Sequence, residues 1–335
     1  MPEIDPHDAT VEIYEDQAAE WLSRAAVRAT EVRQFSDRLQ EDPQLPHGAV
    51  VDLGCGPGTH LAELPPGTIA MDASAAMLDL ARDAVPGCPS AQADLRALPI
   101  ARHSMRAVWA NKSYVHLART LVPMALWDLH RVLAPGGVAG LGLFGGDQEH
   151  GRHDGDYFPG RHFSLWPDDL LTDVIEGAGF HLESLSRPAP EQGDAPYLFT
   201  KLRRQRSLAD TVGPDMRLLL VGLNPSLHAA DSGVGFSGPS NRGWPALLAS
   251  GLAAKDRDPV ALLRGNRIGM TDLGKRATAR ASELERWEYQ RGIERLDRLC
   301  AWLKPAAVCV VGLSGWRAAV DRKASAGLQQ VQLGG

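Results

Sequence analysis

Two glycine-rich loops, each following a short apolar run, carry the residues of this chain best suited to chemistry. The first loop, residues 54–58, follows the run Ala49–Leu53; the second follows Leu218–Gly222 and presents Asn224. Glycines before a helix let the backbone approach a ligand closely and offer it N–H groups. An asparagine amide can orient a reactant, although in a turn it more often binds its own backbone. The sequence therefore predicts one ligand site in each half of the chain.

Two acidic side chains make the kind of ligand predicted for the first loop more specific. Asp72 ends the second predicted strand, where a carboxylate can accept both hydroxyls of a ribose. Asp94, followed by Leu95, ends the third, where the edge of an adenine would lie. Both have structural alternatives, because Asp72 could cap the helix that begins near Ser74 and Asp94 could lie in a solvated turn. The loop lacks the Gly-x-Gly-x-x-Gly spacing of dinucleotide oxidoreductases, which favours another nucleotide-like cofactor.

Length and composition are those of an ordinary globular protein. The chain has 335 residues, of which 44% are hydrophobic and 23% charged, enough for two cores of usual size. No apolar run approaches the roughly 20 residues of a membrane span, and the acidic first eight residues lack signal-peptide features, so we expect a cytoplasmic protein. No Cys-x-x-Cys pair occurs, so no metal site, disulfide framework or iron–sulfur cluster is expected. The cysteines are Cys55, Cys88, Cys300 and Cys309.

Charge is distributed unevenly along the chain. Residues 201–335 contain 21 Lys+Arg and 12 Asp+Glu, net +9, whereas residues 1–200 contain 14 and 29, net −15. A basic domain of this size fits a polyanion such as DNA, because neutralised phosphates release condensed counterions. The alternative is that the basic residues simply solvate helices. DNA is therefore a candidate partner of the second half only.

Strand-like and helix-like segments alternate, which is typical of an α/β fold with a parallel sheet. A Pro- and Gly-rich stretch, 188–196, predicts a hairpin loop, and the basic run 203–206 predicts the boundary between domains 1–204 and 205–335. In the second half we expect a helix at 283–303 and a strand at 307–312. The predicted strands of the first half are 49–53, 68–71, 90–93, 107–110, 138–144, 181–187 and 197–202.

The first half resembles class I S-adenosylmethionine-dependent methyltransferases, especially the small-molecule "type 11" kind. Residues 14–21 look like that family's amino-terminal helix, Val-Asp-Leu-Gly-Cys-Gly at 51–56 like its first motif, and 129–137 like its helix-turn before strand five. The resemblance spans about residues 10–202 and implies a Rossmann-like seven-stranded sheet. It also implies that Asp52 and the glycines hold the methionine part, Asp72 the ribose, and Asp94 with Leu95 the adenine. The expected cofactor-binding residues are Asp52, Gly54, Cys55, Gly56, Gly58, Asp72, Ala73, Asp94, Leu95 and Asn111.

The methyl acceptor is not identified by the sequence. Residues 110–116, after the fourth strand, carry neither the Asn/Asp-Pro-Pro-Tyr/Phe motif nor the Pro-Cys nucleophile of base-methylating DNA enzymes. Tyr114 and His116 could contact an acceptor or simply pack. A sulfonium methyl group is already electrophilic, so transfer requires mainly an in-line nucleophile.

The second half resembles mismatch-specific uracil/thymine-DNA glycosylases of the uracil-DNA glycosylase superfamily. The family's Gly-Ile-Asn-Pro-Gly motif corresponds to Gly-Leu-Asn-Pro-Ser at 222–226, and further motifs follow at 229–244 and 269–280. The resemblance implies an α/β/α domain in which Asn224 is catalytic and positions the attacking water. It implies that Phe236 stacks on a flipped base and that Arg276 and neighbouring cations face phosphates. The expected base-pocket and DNA residues are Phe236, Asn241, Arg242 and Arg276.

Two departures from that family are expected to matter. Gly243 stands where an aromatic residue usually precedes Trp244, which would loosen packing. The family's final strand, wedge loop and closing helix have no counterpart before Gly335, so we expect either an incomplete domain with impaired activity or a sequence that is the truncated product of a longer gene. The leading interpretation is a methyltransferase fused to a glycosylase-like domain. The alternatives are a base-excision enzyme with an accessory methyltransferase-like domain, and a nonenzymatic DNA-binding module.

Overall fold

The computed structural model describes residues 5–23, 29–147, 149–150, 157–188 and 196–335. These residues form two compact units. The first unit comprises the residues up to Leu171 together with His181–Arg204. The second unit comprises Thr172–Phe180 together with Gln205–Gly335. No helix among the described residues is both long and apolar enough to span a bilayer.

The first unit is built on one large sheet. In the order β3-β2-β1-β4-β5 all neighbours are parallel, β9 then pairs antiparallel with β5, and β8 pairs with β9. A small antiparallel pair, β6 and β7, extends from the last residues of β5. The strands are β1 Ala49–Leu53, β2 Ile69–Asp72, β3 Ser90–Gln92, β4 Met105–Asn111, β5 Leu133–Gly145, β6 Glu149–His150, β7 Phe163–Trp166, β8 Phe180–Ser186 and β9 Tyr197–Arg204.

The central strands are apolar because helices cover both faces of a parallel sheet. Four of the five residues of β1 are buried, and Trp109 of β4 is fully buried. The ring centroid of Trp109 lies 5.3 Å from those of Phe35 and Phe199, and this aromatic packing stabilises the middle of the sheet. The helices of this half are α1 Pro6–Asp16, α2 Ala18–Leu22, α3 Ala29–Glu41, α4 Ala75–Ala84, α5 Val122–Val132 and α6 Asp168–Gly177, with 3₁₀ turns at Tyr114–His116 and Arg119–Leu121.

The second unit has a three-stranded parallel sheet in the order β11-β10-β12. Its strands are β10 Leu218–Gly222, β11 Ile268–Asp272 and β12 Val308–Val310. Its core contains Leu220, Trp244 and Ile268, and the Trp244 indole N–H donates to the Gly235 carbonyl at 2.7 Å. The helices are α7 Leu227–Ser232, α8 Gly243–Ala249, α9 Pro259–Asn266, α10 Arg286–Leu303 and α11 Leu313–Ala319, with a 3₁₀ turn at Ala281–Glu283.

The predicted α/β class and the methyltransferase-type sheet are confirmed, with differences at element ends. All seven predicted strands of the first half are present, while β6 and β7 were not predicted. β5 begins at Leu133 rather than residue 138, because Leu133 already pairs with Met105 before a shift in register. The segment resembling an amino-terminal helix is divided between α1 and α2 at Gln17.

The start of the long helix also differs from expectation. The long helix begins at Arg286 rather than residue 283, because Glu285 and Glu288 form a capping box there. The basic run predicted as a boundary begins inside β9, where Arg203 pairs with Asp42 at 2.5 Å and Glu183 at 2.7 Å. The predicted hairpin loop at 188–196 lies mostly outside the described residues.

Candidate functional site

The first candidate site begins at the loop after β1, where three glycines have left-handed backbone conformations. Their φ values are 68° at Gly54, 54° at Gly56 and 80° at Gly58. A Cβ on Gly54 would collide with the side chain of Ser113, whereas no described heavy atom lies within 4 Å of a Cβ placed on Gly56. Packing therefore requires a glycine at position 54, and the backbone at position 56 borders open space.

Asp72 joins this loop to the start of α4. Its Oδ2 accepts a hydrogen bond from the Gly56 N–H at 2.8 Å, and its Oδ1 accepts one from the Ser74 N–H at 2.9 Å. Burial raises the pKa of Asp72, and these backbone hydrogen bonds oppose the rise. Each carboxylate oxygen retains a second lone pair, so Asp72 can still accept from a ligand. Next to it, the Ala73 carbonyl accepts from Gln92 Nε2 at 2.7 Å.

Asp52, on β1, lies beneath the loop with only 1% of its surface exposed. No described residue provides a hydrogen-bond partner for its Oδ2. Burial, and secondarily the negative charge of Asp72, raises the pKa of Asp52 to about 8. A buried carboxyl group without a counter-charge is costly, so a positively charged ligand in the loop would relieve that cost.

Asp94 lies in a compact ionic cluster after β3. Arg96 binds both of its carboxylate oxygens at 2.6–3.1 Å and also contacts Asp5 and Asp8, while His7 Nε2 lies 3.4 Å from Asp94 Oδ1. Burial alone would raise the pKa of Asp94, but the nearby His7 ring and the hydrogen bonds from Arg96 hold it well below its usual range. Its oxygens are therefore already paired where the resemblance implies an adenine contact.

The remaining predicted cofactor residues lie at the carboxyl ends of neighbouring strands. Leu95 is buried, and Asn111 Oδ1 accepts from the Tyr197 hydroxyl at 2.6 Å. The buried Cys55 thiol donates to the Gly56 carbonyl at 3.4 Å, and burial raises its pKa. A thiol in such a setting is not a nucleophile.

Helix α1 runs along the carboxyl edge of the sheet and contributes contacts that single-sequence reasoning missed. Glu15 Oε2 accepts from the Ser74 hydroxyl at 2.7 Å and from the Ala76 N–H at 3.1 Å, next to Asp72. His7, in the first turn of the same helix, lies close to Asp94. Neither contact has a sequence signal, because each joins residues far apart in the chain.

A hydrogen-bonded chain lies beside Tyr114, which is itself fully buried. Arg161 Nη1 donates to the Tyr14 hydroxyl at 2.8 Å, and that hydroxyl is 2.8 Å from His116 Nε2. His116 Nδ1 is 2.7 Å from the His162 carbonyl, so Nδ1 carries the proton and Nε2 accepts from Tyr14. Burial lowers the pKa of His116 to about 3, so the imidazole is neutral near pH 7.

The second candidate site is centred on Asn224, after β10. Its Nδ2 donates to the Arg276 carbonyl at 2.9 Å and to Thr278 Oγ1 at 2.8 Å, besides a weaker contact to Pro225 O at 3.2 Å. Thr278 in turn donates to the Arg280 carbonyl at 2.8 Å, so its hydroxyl acts as acceptor towards Asn224. The amide is thereby held with its nitrogen inward, and Oδ1 is the atom that can accept from a water molecule.

The other predicted base-pocket residues occupy three different settings. Phe236, with φ 55°, lines a cavity together with Asp272. Asn241 Oδ1 accepts from the Gly243 N–H at 2.8 Å at the start of α8, beside the exposed Arg242. Arg276 binds both carboxylate oxygens of Glu288, at 2.9 and 2.8 Å, so a phosphate contact by Arg276 stays a prediction.

Both halves match known families. Residues 50–137 match the methyltransferase domain family, and residues 209–332 match the uracil DNA glycosylase superfamily. The chain joins a methyltransferase domain to a domain of the uracil-DNA glycosylase superfamily.

Solved structures similar to the chain include SAM-dependent methyltransferases, and the three that follow each align with between 51% and 61% of the chain. A SAM-dependent methyltransferase from Leishmania major aligns with 60% of this chain and 85% of its own, at 13% identity and TM-score 0.50. DhpI, in complex with SAH, aligns with 61% and 98%, at 18% identity and TM-score 0.46. A SAM-dependent methyltransferase from Mesorhizobium loti aligns with 51% and 98%, at 18% identity and TM-score 0.41. At these identities the likeness concerns the fold.

The family resemblance implies S-adenosylmethionine as the cofactor, and the site at residues 54–58 fits this molecule in charge and in shape. S-adenosylmethionine carries a sulfonium and an ammonium group, and the Asp52 carboxyl group, whose Oδ2 has no partner among the described residues, can ionise beside the glycine loop to balance that positive charge. The open space at Gly56 and the free lone pairs of Asp72 lie at the same edge of the sheet. The residues present therefore suit the cofactor.

Proposed function

We propose that the methyltransferase domain binds S-adenosylmethionine at residues 54–58 and transfers its methyl group to an acceptor positioned at the same edge of the sheet. The observation that carries this proposal is the buried Asp52 carboxyl group, whose Oδ2 has no hydrogen-bond partner among the described residues, next to a left-handed glycine loop. A cationic ligand resolves that electrostatic cost, whereas an anionic one would add to it.

The cofactor supplies an electrophilic methyl group, and the chain supplies alignment. Asp52 attracts the positive charge, while Gly54 and Gly56 let the backbone approach the ligand closely. Asp72 keeps lone pairs for hydroxyl donors while it holds the loop through Gly56. Asn111, oriented by Tyr197, borders the same edge. None of these side chains needs to exchange a proton with the acceptor.

The test is the affinity for S-adenosylmethionine, measured by isothermal titration with Asp72→Asn and, as a matched control, Asp79→Asn. Asp79 is on α4 with 74% of its side chain exposed. We expect Asp72→Asn to weaken binding about tenfold or more, because an amide cannot accept two hydroxyl donors as a carboxylate does, and one charged hydrogen bond contributes roughly 1.5–3 kcal/mol. Equal affinities of the two variants would contradict the assignment.

A second function, removal of a base from DNA by the glycosylase-superfamily domain, is favoured by the geometry of Asn224. Its amide nitrogen is held by the Arg276 carbonyl and Thr278, which presents Oδ1 to a water molecule. An amide is a weak base, so the rate would depend on positioning this water and on stabilising the departing base anion. The net charge of +9 over residues 201–335 supports DNA as partner and a role in DNA repair.

This activity is tested by release of uracil from a G·U duplex by the full chain, with and without S-adenosylmethionine. Asn224→Ala should abolish release while leaving DNA affinity intact. Arg242→Ala, which removes an exposed cation, should weaken DNA binding. It should also reduce the slope of the logarithm of the binding constant against the logarithm of the salt concentration by about the amount that one phosphate contact contributes. Salt-sensitive binding without any base release would instead support a nonenzymatic DNA-binding module.

We also propose a cytoplasmic location. All four cysteines are free thiols, which is typical of a reducing compartment. Recovery of the protein in the membrane or secreted fraction would contradict this.

A further inference from the structure

Asp94 lies at the end of the edge along which a nucleoside would extend in the first unit. The strands β1, β2 and β3 are neighbours in that order and parallel, so their carboxyl ends follow one another along the edge. With the glycine loop after β1 and Asp72 after β2, a base attached to a ribose at Asp72 reaches the end of β3. The Asp94 carboxylate could therefore read such a base if its oxygens were available.

Both oxygens of Asp94 are occupied by Arg96, two residues further along the chain. Oδ1 accepts from the Arg96 backbone N–H at 2.7 Å and from Nε at 3.1 Å, and Oδ2 accepts from Nη2 at 2.6 Å and from Nε at 3.0 Å. The buried His7 ring lies against the same carboxylate, with Nε2 3.4 Å from Oδ1. Hydrogen bonds between two charged groups are roughly twice as strong as those between neutral groups. The neutral amino group of a base would have to replace such a donor.

Helix α1 holds Arg96 in this position from the other side. Nη2 of Arg96 donates to Asp8 Oδ1 at 2.6 Å, and its Nη1 lies 3.3 Å from Asp5 Oδ2. Asp5 is the N-cap residue of α1, and Asp8 lies in its first turn. Moving Arg96 away from Asp94 would remove the cation that separates this carboxylate from the two acids of α1, and like charges at such distances repel one another. Arg96 therefore joins the loop after β3 to the start of α1.

We propose that Arg96 makes the nucleoside site of the methyltransferase domain indifferent to the amino group of adenine, because it occupies the carboxylate that would otherwise accept a hydrogen bond from that group. Asp94 then holds α1 through Arg96 and does not read the base. This specificity differs from the adenine contact that the family resemblance implies for Asp94. The proposal rests on the binding of S-adenosylmethionine at residues 54–58, and it concerns only the purine end of that ligand.

The experiment is isothermal titration of the full chain with S-adenosylhomocysteine and with its 6-deamino analogue, which lacks only the amino group and keeps the ring nitrogens as acceptors. For the wild type we expect the two dissociation constants to agree within about twofold, whereas a hydrogen bond from the amino group to a free carboxylate would make them differ about tenfold or more. Arg96→Met releases the Asp94 carboxylate and should create a preference for the adenine ligand of about tenfold, whatever happens to the affinity for both ligands together. Arg82→Met, at an exposed arginine paired with Asp79, is the control and should keep the wild-type ratio.

A second variant, Asp94→Asn, leaves Arg96 in the chain and should keep the wild-type ratio, because the carboxylate is not read. A wild-type preference for the adenine ligand of about tenfold or more would overturn the proposal, whether or not Asp94→Asn removed it. Equal affinities for the two ligands in Arg96→Met would overturn the role of Arg96. Absence of binding of S-adenosylhomocysteine and of S-adenosylmethionine to the wild type would contradict the cofactor site itself, and the proposal with it.

Discussion

Changing Asp52 to asparagine should stabilise the methyltransferase domain and weaken its cofactor binding at the same time. The side chain is buried, and its pKa is raised from 3.8 to about 8 by burial first and by Asp72 second. Because the pKa of Asp52 is higher in the folded state, the contribution of this side chain to the free energy of unfolding is most favourable below pH 3.8 and is lost as the pH rises towards 8. The asparagine variant does not titrate and should lose nothing over this interval.

The magnitude follows from the size of the shift. One pKa unit corresponds to about 1.4 kcal/mol. Between the ordinary pKa of 3.8 and pH 7 there are roughly three pH units, so Asp52 can destabilise the folded domain at pH 7 by at most about 4 kcal/mol. Relaxation around the carboxyl group reduces this value. We therefore expect Asp52→Asn to raise the free energy of unfolding at pH 7 by about 1–4 kcal/mol, and to have little effect at pH 4.

The assay is urea unfolding between pH 4 and pH 8, followed by tryptophan fluorescence. Added S-adenosylmethionine identifies the transition of the domain that binds it, because a ligand stabilises only that domain. The cofactor should bind Asp52→Asn more weakly than the wild type and with less proton release, since binding of a cation ionises Asp52. Asp79→Asn is the control, with an exposed acid on the same unit. Parallel pH profiles of wild type and Asp52→Asn would refute the reasoning.

Three further predictions concern single side chains. Gly54→Ala should abolish cofactor binding or folding because its Cβ would collide with a neighbouring side chain, whereas Gly56→Ala, with open space but φ 54°, should cost only about 1–2 kcal/mol by urea unfolding. Glu288→Gln should lower the rate of base release roughly 10–100-fold in single-turnover kinetics without changing DNA affinity. The reason is that Glu288 holds Arg276, whose carbonyl accepts the hydrogen bond from the Asn224 amide. A loss of DNA affinity in this variant would contradict the prediction. At pH 8 iodoacetamide should label the exposed Cys309 rapidly and the buried Cys55, whose pKa is raised, only after unfolding, as peptide mass spectrometry would show.

Elements that depend on local composition could be predicted from the sequence. The apolar run at 49–53 is β1, and the glycines after it have the left-handed backbone that their residue type suggests. The beginning of β5 could not be predicted, because Leu133 is joined to the strand through Pro-Gly-Gly, a local pattern typical of a turn. Its pairing with Met105 is a tertiary contact that overrides this preference.

Contacts between segments that are distant in the sequence could not be predicted. The pairing of Arg276 with Glu288, twelve residues away on α10, has no signal in the sequence, and the phosphate contact that the resemblance implies for Arg276 stays a prediction. Asp272 lies within a motif that the sequence displays, yet its position next to Gly222, fifty residues earlier in the chain, arises only from the pairing of β10 with β11. A single sequence shows the residue types and does not show which of them become neighbours.

Gly243 illustrates how a departure from a family pattern acquires meaning only in three dimensions. The sequence suggested that losing an aromatic residue there would loosen the packing around Trp244, yet Trp244 is fully buried. A Cβ on Gly243 would lie 2.9 Å from Cβ of Phe236 and 3.0 Å from Oδ1 of Asn241, closer than side chains normally pack. Gly222 borders the other end of the Phe236 side chain, near Cζ. A larger residue at position 243 would therefore displace Phe236, the ring that the base-excision proposal requires, whereas a larger residue at position 222 would first collide with the carboxyl group of Asp272.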